Sequence, residues 1–390
     1  MMSKKKARVI AFYLPQFHPI PENDRWWGKG FTEWTNVGKA KPLFKGHYQP
    51  RVPADLGYYD LRMPEVREAQ AEMARDAGIE GFCYWHYWFN SKTQLLDRPF
   101  KEVLNSGKPD FPFCLGWANH SWTNKSWEIG TRKVPVQTFL EMVYNKEEYE
   151  THFFSILSAF KDHRYIRVDG KPLFLVWRPL DIPNPKEFID LWNNLAKDNG
   201  LPGIFFVGIQ YNMLPEEWTW KNIIYKNAPD RAAELYRQVI DAGFDAVSSR
   251  GYHRADYYAR SMWETIWRSI AIRVFKYTPI SKCNQDIINK YLYVKEDRWE
   301  DVFPTLMPNW DRSPRSGRKA RIYTNSTPEV FRGQIEKVLD LLKNKTDEHK
   351  VAFLMSWNEW AEGNYVEPDL KYGHGFLDVI HDMIIDNNCQ

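Results

Sequence analysis

The sequence predicts a single (β/α)8 barrel spanning residues 1–390, and three observations carry that reading. Eight short runs rich in β-branched and aromatic residues recur along the chain, and stretches of helical period separate them. The surplus length falls after strands rather than after helices, which is where a barrel builds its working face. A chain of 390 residues exceeds the usual domain size but fits one large barrel.

The predicted strands, in order, are 8–14 (RVIAFYL), 80–88 (EGFCYWHYW), 111–117 (FPFCLGW), 171–178 (KPLFLVWR), 203–210 (GIFFVGIQ), 244–248 (FDAVS), 302–307 (VFPTLM) and 350–356 (KVAFLMS). Helices are expected at 64–77, 97–106, 146–162, 185–199, 229–241, 255–274 with 284–296, 327–344 and 373–386. Asn184-Pro185 opens one of them and Gly200 stops it, while Ser326 or Thr327 precedes Pro328 at the start of another. Long loops follow strands one, three and seven, at 15–63, 118–145 and 308–326. The helical insertion around 255–296, with its own Lys and Arg, is expected to pack outside the barrel or cover a partner surface.

Composition narrows the function. Fifty-three Lys and Arg against 50 Asp and Glu leave +3, which removes the simplest electrostatic route to nucleic acid or anionic lipid. Aromatic residues make up 16% of the chain, with 18 Trp, an excess that suits stacking on the C–H faces of sugars. The four cysteines (Cys83, Cys114, Cys283, Cys389) are far apart, with no C-x-x-C and no His at ligand spacing, so no zinc site or disulfide framework is indicated. No run approaches the roughly 18 apolar residues of a membrane span. The basic start MMSKKK leads into an apolar stretch broken by Pro15, Gln16 and His18, so the chain reads as cytoplasmic.

Polar and aromatic residues gather just after the strands. Tyr13, Gln16 and His18 follow the first; Tyr84, His86 and Trp88 belong to the second; Trp117, Asn119, His120 and Trp122 follow the third. Trp177 and Arg178 end the fourth, Gln210 leads into Tyr211-Asn212 at the fifth, Arg250 and Tyr252 follow the sixth, and Asn309-Trp310-Asp311 the seventh. With Glu33 and Trp34 in the first long loop, they predict a mouth for a neutral polyhydroxylated ligand, an oligosaccharide or polysaccharide. Neither a dinucleotide fingerprint nor a P-loop is present.

The sharpest motif is Ser356-Trp357-Asn358-Glu359-Trp360-Ala361-Glu362-Gly363, where two carboxylates three apart leave a strand in a turn and can face one cavity. Glycoside cleavage needs such a pair, one group ionised and one protonated. Trp357 and Trp360 are expected to desolvate one carboxyl, Asn358 stands between them, and Glu367 is a further candidate for substrate. Glu80 begins a strand and therefore belongs to the opposite, stabilising face, and Asp169-Gly170 reads as a turn.

The blocks AFYLPQFH (11–18), WWGKGFTEWTNV (26–37), DLGYYDL (55–61), GFCYWHYWF (81–89) and WNEWAEG (357–363) resemble the WbsX family, and the likeness runs from residue 11 to residue 368. That resemblance implies a protein of a bacterial surface-polysaccharide locus, labelled glycosyltransferase and similar to the endo-α-mannosidases of glycoside hydrolase family 99, a barrel family. It implies no metal and no organic cofactor. It also implies roles for the pair: Glu359 takes the proton of the sugar's own 2-hydroxyl, which attacks C1 to give a 1,2-anhydro sugar. Glu362 then protonates the leaving oxygen and later activates water.

Such a route requires the 2-hydroxyl trans to the leaving group, which α-mannosides and α-rhamnosides both satisfy. The expectation is a retaining glycoside hydrolase-like enzyme acting on α-manno-configured linkages. Its rivals are a glycosyltransferase or transglycosidase of lipopolysaccharide or capsule biosynthesis, and a sugar binder on an inactive barrel.

Overall fold

A computed structural model describes residues 5–123, 137–210 and 231–386. Eight parallel strands close on themselves: β1 (Arg8–Tyr13), β2 (Gly81–Asn90), β3 (Phe113–Trp117), β4 (Lys171–Val176), β5 (Phe205–Gln210), β6 (Ala246–Ser249), β7 (Val302–Leu306) and β8 (Val351–Leu354). Registers such as Phe82↔Phe113, Leu173↔Phe205 and Val247↔Val302 run round the ring. Pairing of Ile10 with Gly81 and of Arg8 with Val351 completes it, so no edge is left exposed. The eight strands stand where the apolar runs predicted them, within two residues at nearly every end.

The helices around the barrel include α1 (Pro64–Asp76), α2 (Arg98–Ser106), α3 (Lys146–Phe160), α4 (Pro185–Asp198), α5 (Ala232–Asp241), α6 (Tyr252–Ala259), α7 (Met262–Arg273), α8 (Gln285–Leu292), α9 (Pro328–Leu342) and α10 (Gly375–Ile384). Thr327, not Ser326, caps α9 by accepting the Val330 N–H. The helix expected at 255–274 is broken, because Ser261 takes an extended backbone and its hydroxyl accepts the Glu264 N–H, starting α7 afresh. Asn284 likewise caps α8, and the expected run to 296 stops at Leu292. Tyr211, Asn212, the first residues of the helix predicted at 229–241, residues 124–136 of the 118–145 loop and Cys389 lie outside the described residues.

Strand alternation sorts the aromatic core into two layers. Phe12, Trp85 and Phe353 point into the barrel, with Phe12 stacked on Trp85 at 4.8 Å. Tyr13, Phe82 and Tyr84 point outward against α1 and α2, where Tyr13 donates to Gln70 at 2.6 Å and Tyr84 packs on Phe100. At the N-terminal end Arg8 pairs with Glu80 at 2.7 Å, the stabilising position expected for that acid. Asp169 and Gly170 form the expected turn, both with positive φ.

The insertions after β6 and β7 are welded by a parallel ribbon, Ser281–Asn284 against Arg321–Thr324. Nothing in the sequence pattern announced it. Each strand is four residues long, at the lower limit of the length over which alternation is readable.

Candidate active site

The chain leaves β8, and the Trp357 N–H donates to the carbonyl of Phe12 at 2.8 Å, holding the exit against β1. Asn358 and Glu359 then pair antiparallel with Tyr365 and Asn364. Trp360–Glu362 make one 3-10 turn, and Gly363 closes it with φ +64°. A Cβ on Gly363 would stand 2.8–3.0 Å from the backbone and Cβ of Asp311, so only glycine lets the loop after β7 approach. That approach is used: the Asp311 N–H donates to the Glu362 carbonyl at 2.8 Å. The tight hairpin puts Glu359 at its base and Glu362 at its tip, both on the wall of one cavity of about 400 Å³.

Arg315, from the short helix Ser313–Ser316 after β7, ties three glutamates together. Its Nη1 meets Glu362 at 2.5 Å, while Nη2 meets Glu33 at 2.5 Å and Glu359 at 3.4 Å. Arg312 adds a second contact to Glu362 at 3.2 Å. Burial works to raise the carboxyl of Glu362, but the two arginines outweigh it and hold the group below the usual carboxylate range. Burial and the neighbouring Glu362 charge push Glu359 up to about 8, against the weaker pull of Arg315. The two carboxyls are thus driven in opposite directions, Glu359 toward its protonated form and Glu362 toward its ionised one.

Beside the pair stands Arg250, buried, with its guanidinium over the rings of Phe12 at 4.3 Å and Trp177 at 4.7 Å. Its Nε and Nη2 find no hydrogen-bond partner among the described residues. Burial brings it down to about 10, so it stays charged at neutral pH. Trp85, Tyr87, His120, Trp122, Trp177, Tyr252, His253 and Trp310 supply most of the remaining rings, with Arg178 at the rim. Rings, guanidinium groups and one ionisable pair around a cavity of this size can clasp a polar ring compound by its faces and its edge hydroxyls.

Of the residues expected here, the structure brings Glu359, Glu362, His120, Trp122, Trp177, Arg178, Arg250, Tyr252 and Trp310 to the cavity. The others lie elsewhere, and each has a visible physical reason. Tyr13, Tyr84, His86 and Trp88 occupy the outward positions of their strands; His86 meets His152 of α3 at 2.8 Å, and Trp88 stacks on the same imidazole. Burial drives His86 down to about 3, so it is neutral. Trp117 also points outward, its indole N–H donating to the Trp88 carbonyl.

Asn119 brackets Arg178, accepting its N–H at 2.7 Å and donating to its carbonyl at 2.8 Å. Asn358 brackets Leu14 in the same way. Asn309 is held by Arg51 and the Tyr365 carbonyl. Gln210 ends β5, where its carbonyl receives the Arg250 N–H. Gln16 and His18 are buried in the first loop, the Gln16 carbonyl receiving the N–H of Glu33.

Glu33 is fully buried beneath the hairpin, bonded to Arg315 and the Ala361 N–H, so it supports the clamp rather than facing the cavity. Trp34 donates to the Tyr59 carbonyl and packs on Trp360. The expectation that Trp357 and Trp360 desolvate one carboxyl of the pair is corrected: Trp357 packs on Phe82, and Trp360 stacks on Tyr365 while donating to Glu367. The rings beside the carboxyls in the cavity wall come from other elements, among them Trp85 and Tyr87. Glu367 itself is enclosed by Tyr59, Gln70 and Trp360.

Sequence reasoning passed over Trp85, Tyr87, His253, Arg312, Arg315 and Asn364, all of which line the cavity. For the two arginines a signal existed. An acid pair kept out of water needs countercharge, and Arg312 and Arg315 follow Asn309-Trp310-Asp311 directly in a loop already assigned to the working face.

The family described as Glycosyltransferase WbsX matches residues 9–380. Two curated relatives, each named "Uncharacterized protein WxcX" and both from strains of Xanthomonas campestris pv. campestris, are 34% identical over 373 residues, 95% of this chain. The chain spans about half the length of these relatives, 49%. Among solved structures, a "Glycoside hydrolase-like protein" superposes with a TM-score of 0.55 at 13% identity, covering 99% of this chain and 96% of the other. A GH99 endo-α-mannosidase from Bacteroides thetaiotaomicron, in complex with Bis-Tris-propane, superposes with a TM-score of 0.51 at 14% identity, covering 98% and 97%. At such identities the likeness is one of fold.

Proposed function

The chain belongs to the WbsX glycosyltransferase family, and from that premise we propose that it is a glycan-active enzyme that cleaves α-manno-configured linkages of bacterial surface polysaccharide with retention. The carrying observation is the hairpin pair, Glu359 and Glu362, side by side on the wall of a ring-lined cavity with their proton affinities driven in opposite directions. The fold held in common with an endo-α-mannosidase supports it.

In the reaction, one carboxylate removes the 2-hydroxyl proton and O2 forms a bond to C1 as the C1–O bond to the leaving group breaks. The other carboxyl delivers its proton to the leaving oxygen. Water then attacks C1, giving its proton to that second carboxylate, while O2 leaves C1 and recovers its proton from the first. Either assignment of roles needs one proton on the pair. The surroundings drive Glu359 toward its protonated form and Glu362 toward its ionised one, the reverse of the roles the family resemblance implies, so those roles require a substrate that loosens the Arg312 and Arg315 contacts to Glu362.

The rival reading, sugar transfer, is favoured by the family's description. Mass spectrometry of products separates the two, using wild type and Glu362→Gln on α-manno- and α-rhamno-oligosaccharides with and without nucleotide sugars. Shorter products from wild type alone, with no nucleotide, are expected. Longer products that appear only with a nucleotide sugar overturn the proposal. An activated aryl glycoside then assigns the roles, since the variant lacking the acid keeps cleaving a good leaving group and the variant lacking the base does not.

A further inference from the structure

Seven of the 14 exposed large hydrophobic side chains among the described residues fall within 263–277. Within α7, Trp263 (72% exposed), Trp267 (54%), Ile270 (42%) and, just past its end, Val274 (66%) recur at intervals of four, three and four, one continuous outward stripe. The helix is docked through its polar side instead. Glu264 pairs with Arg321 at 3.1 Å and accepts from Ser281 at 3.2 Å, Arg268 donates to the Pro279 carbonyl at 2.6 Å, and Ala271 alone is buried. For a helix surrounded by water this orientation is inverted, because the apolar face gains nothing from solvent.

Charge says what would cover it. Arg260, Arg268, Arg273, Lys276 and Lys282 against Glu264 alone give residues 260–282 a charge of +4, more than the whole chain's +3. The remainder of the molecule is thus slightly acidic, and the small net charge conceals a basic segment whose Arg273, Lys276 and Lys282 are exposed while Arg268 is held in the docked face. The one acid of the segment is turned inward and matched by Arg321, while Arg318 stacks over exposed Tyr277 at 4.8 Å. A second copy of the chain would set this positive rim against an identical one. An apolar stripe of Trp, Ile and Val, continued by exposed Phe275 in the turn that follows and rimmed by Arg and Lys, fits the interface of an anionic bilayer.

We infer that α7 and the turn after it, residues 262–277, form a peripheral binding face for anionic lipid. No described helix is long and apolar enough to cross a membrane, so the contact is interfacial. The chain runs from the cavity wall at Tyr252 and His253 through α6 directly into α7, so the lipid face belongs to an insertion on the working side of the barrel. This goes beyond the proposed reaction and does not depend on it.

Flotation of the full chain with phosphatidylcholine vesicles, with and without phosphatidylglycerol, tests it. Binding is expected only with phosphatidylglycerol, weakened by high salt, and reduced at least about tenfold when Trp263→Ser, Trp267→Ser and Phe275→Ser are combined. These side chains are exposed, so far-UV circular dichroism and the unfolding midpoint should match wild type. Sedimentation velocity without lipid runs in parallel. Absence of vesicle binding overturns the inference; if wild type then sediments as a dimer that the triple variant dissolves, the stripe is a self-interface. Equal binding by wild type and the triple variant also overturns it. Turnover on a soluble glycan is measured separately, so failure here leaves the reaction reading untouched.

Discussion

Glu359 and Glu367 stand eight residues apart, both buried, and burial pushes both upward, to about 8 and about 7. Their surroundings differ in kind. Glu367 accepts from Tyr59 at 2.8 Å, Gln70 at 2.6 Å and Trp360 at 2.6 Å, three neutral donors that close around it. Glu359 has one guanidinium at 3.4 Å, a second carboxylate beside it, and an open cavity in front. A raised pKa therefore reports desolvation. What separates a candidate acid–base group from a structural one is access, together with a partner whose own proton affinity is driven the other way.

The largest expected effect tests the open member of that comparison. Glu359→Gln and Glu362→Gln should each lower turnover by about a thousandfold or more, read by product mass spectrometry, with little change in the unfolding midpoint. Full turnover in either variant would erase the distinction. Next, Glu367→Ala strips the acceptor from three buried donors and should cost about 3 kcal/mol in a denaturant melt. Turnover per folded molecule should fall far less than for the pair; a loss as deep as theirs would make Glu367 part of the chemistry.

Arg315→Lys sharpens the comparison further. A lysine cannot reach Glu33, Glu359 and Glu362 together, so Glu362 should regain protons more easily and the acid limb of the pH–rate profile should move up by about one unit. The smallest effect is a difference of pH dependence within the native protein. Activity should fall above about pH 8, where Glu359 loses the proton the pair needs. Neutral Glu367 contributes stability that is full below its unfolded value and lost as pH rises through about 7, so the melt should weaken before the rate does.

How much of the site was legible depended on geometry of a simple kind. Residues 81–90 are apolar or aromatic at almost every position because both faces of a barrel strand are covered, so no polar alternation marked the inside. A one-residue difference in phase moves every side chain to the other face, and Tyr84, His86 and Trp88 were preferred where Trp85 and Tyr87 line the cavity. Asn119 and Asn358 look like ligand amides in sequence, yet both satisfy loop backbone, a need that appears only once two strands are side by side.

From the sequence alone came the eight strands, most of the helices, the side of the barrel that carries the long loops, and the carboxyl pair, because periodicity and short spacings are local properties of the chain. The faces of β2, the three-glutamate clamp on Arg315 and the outward stripe of α7 were decided by tertiary structure. Each depends on residues far apart in sequence, Glu33, Arg315 and Glu362 among them, and on which surface a neighbouring element leaves to water.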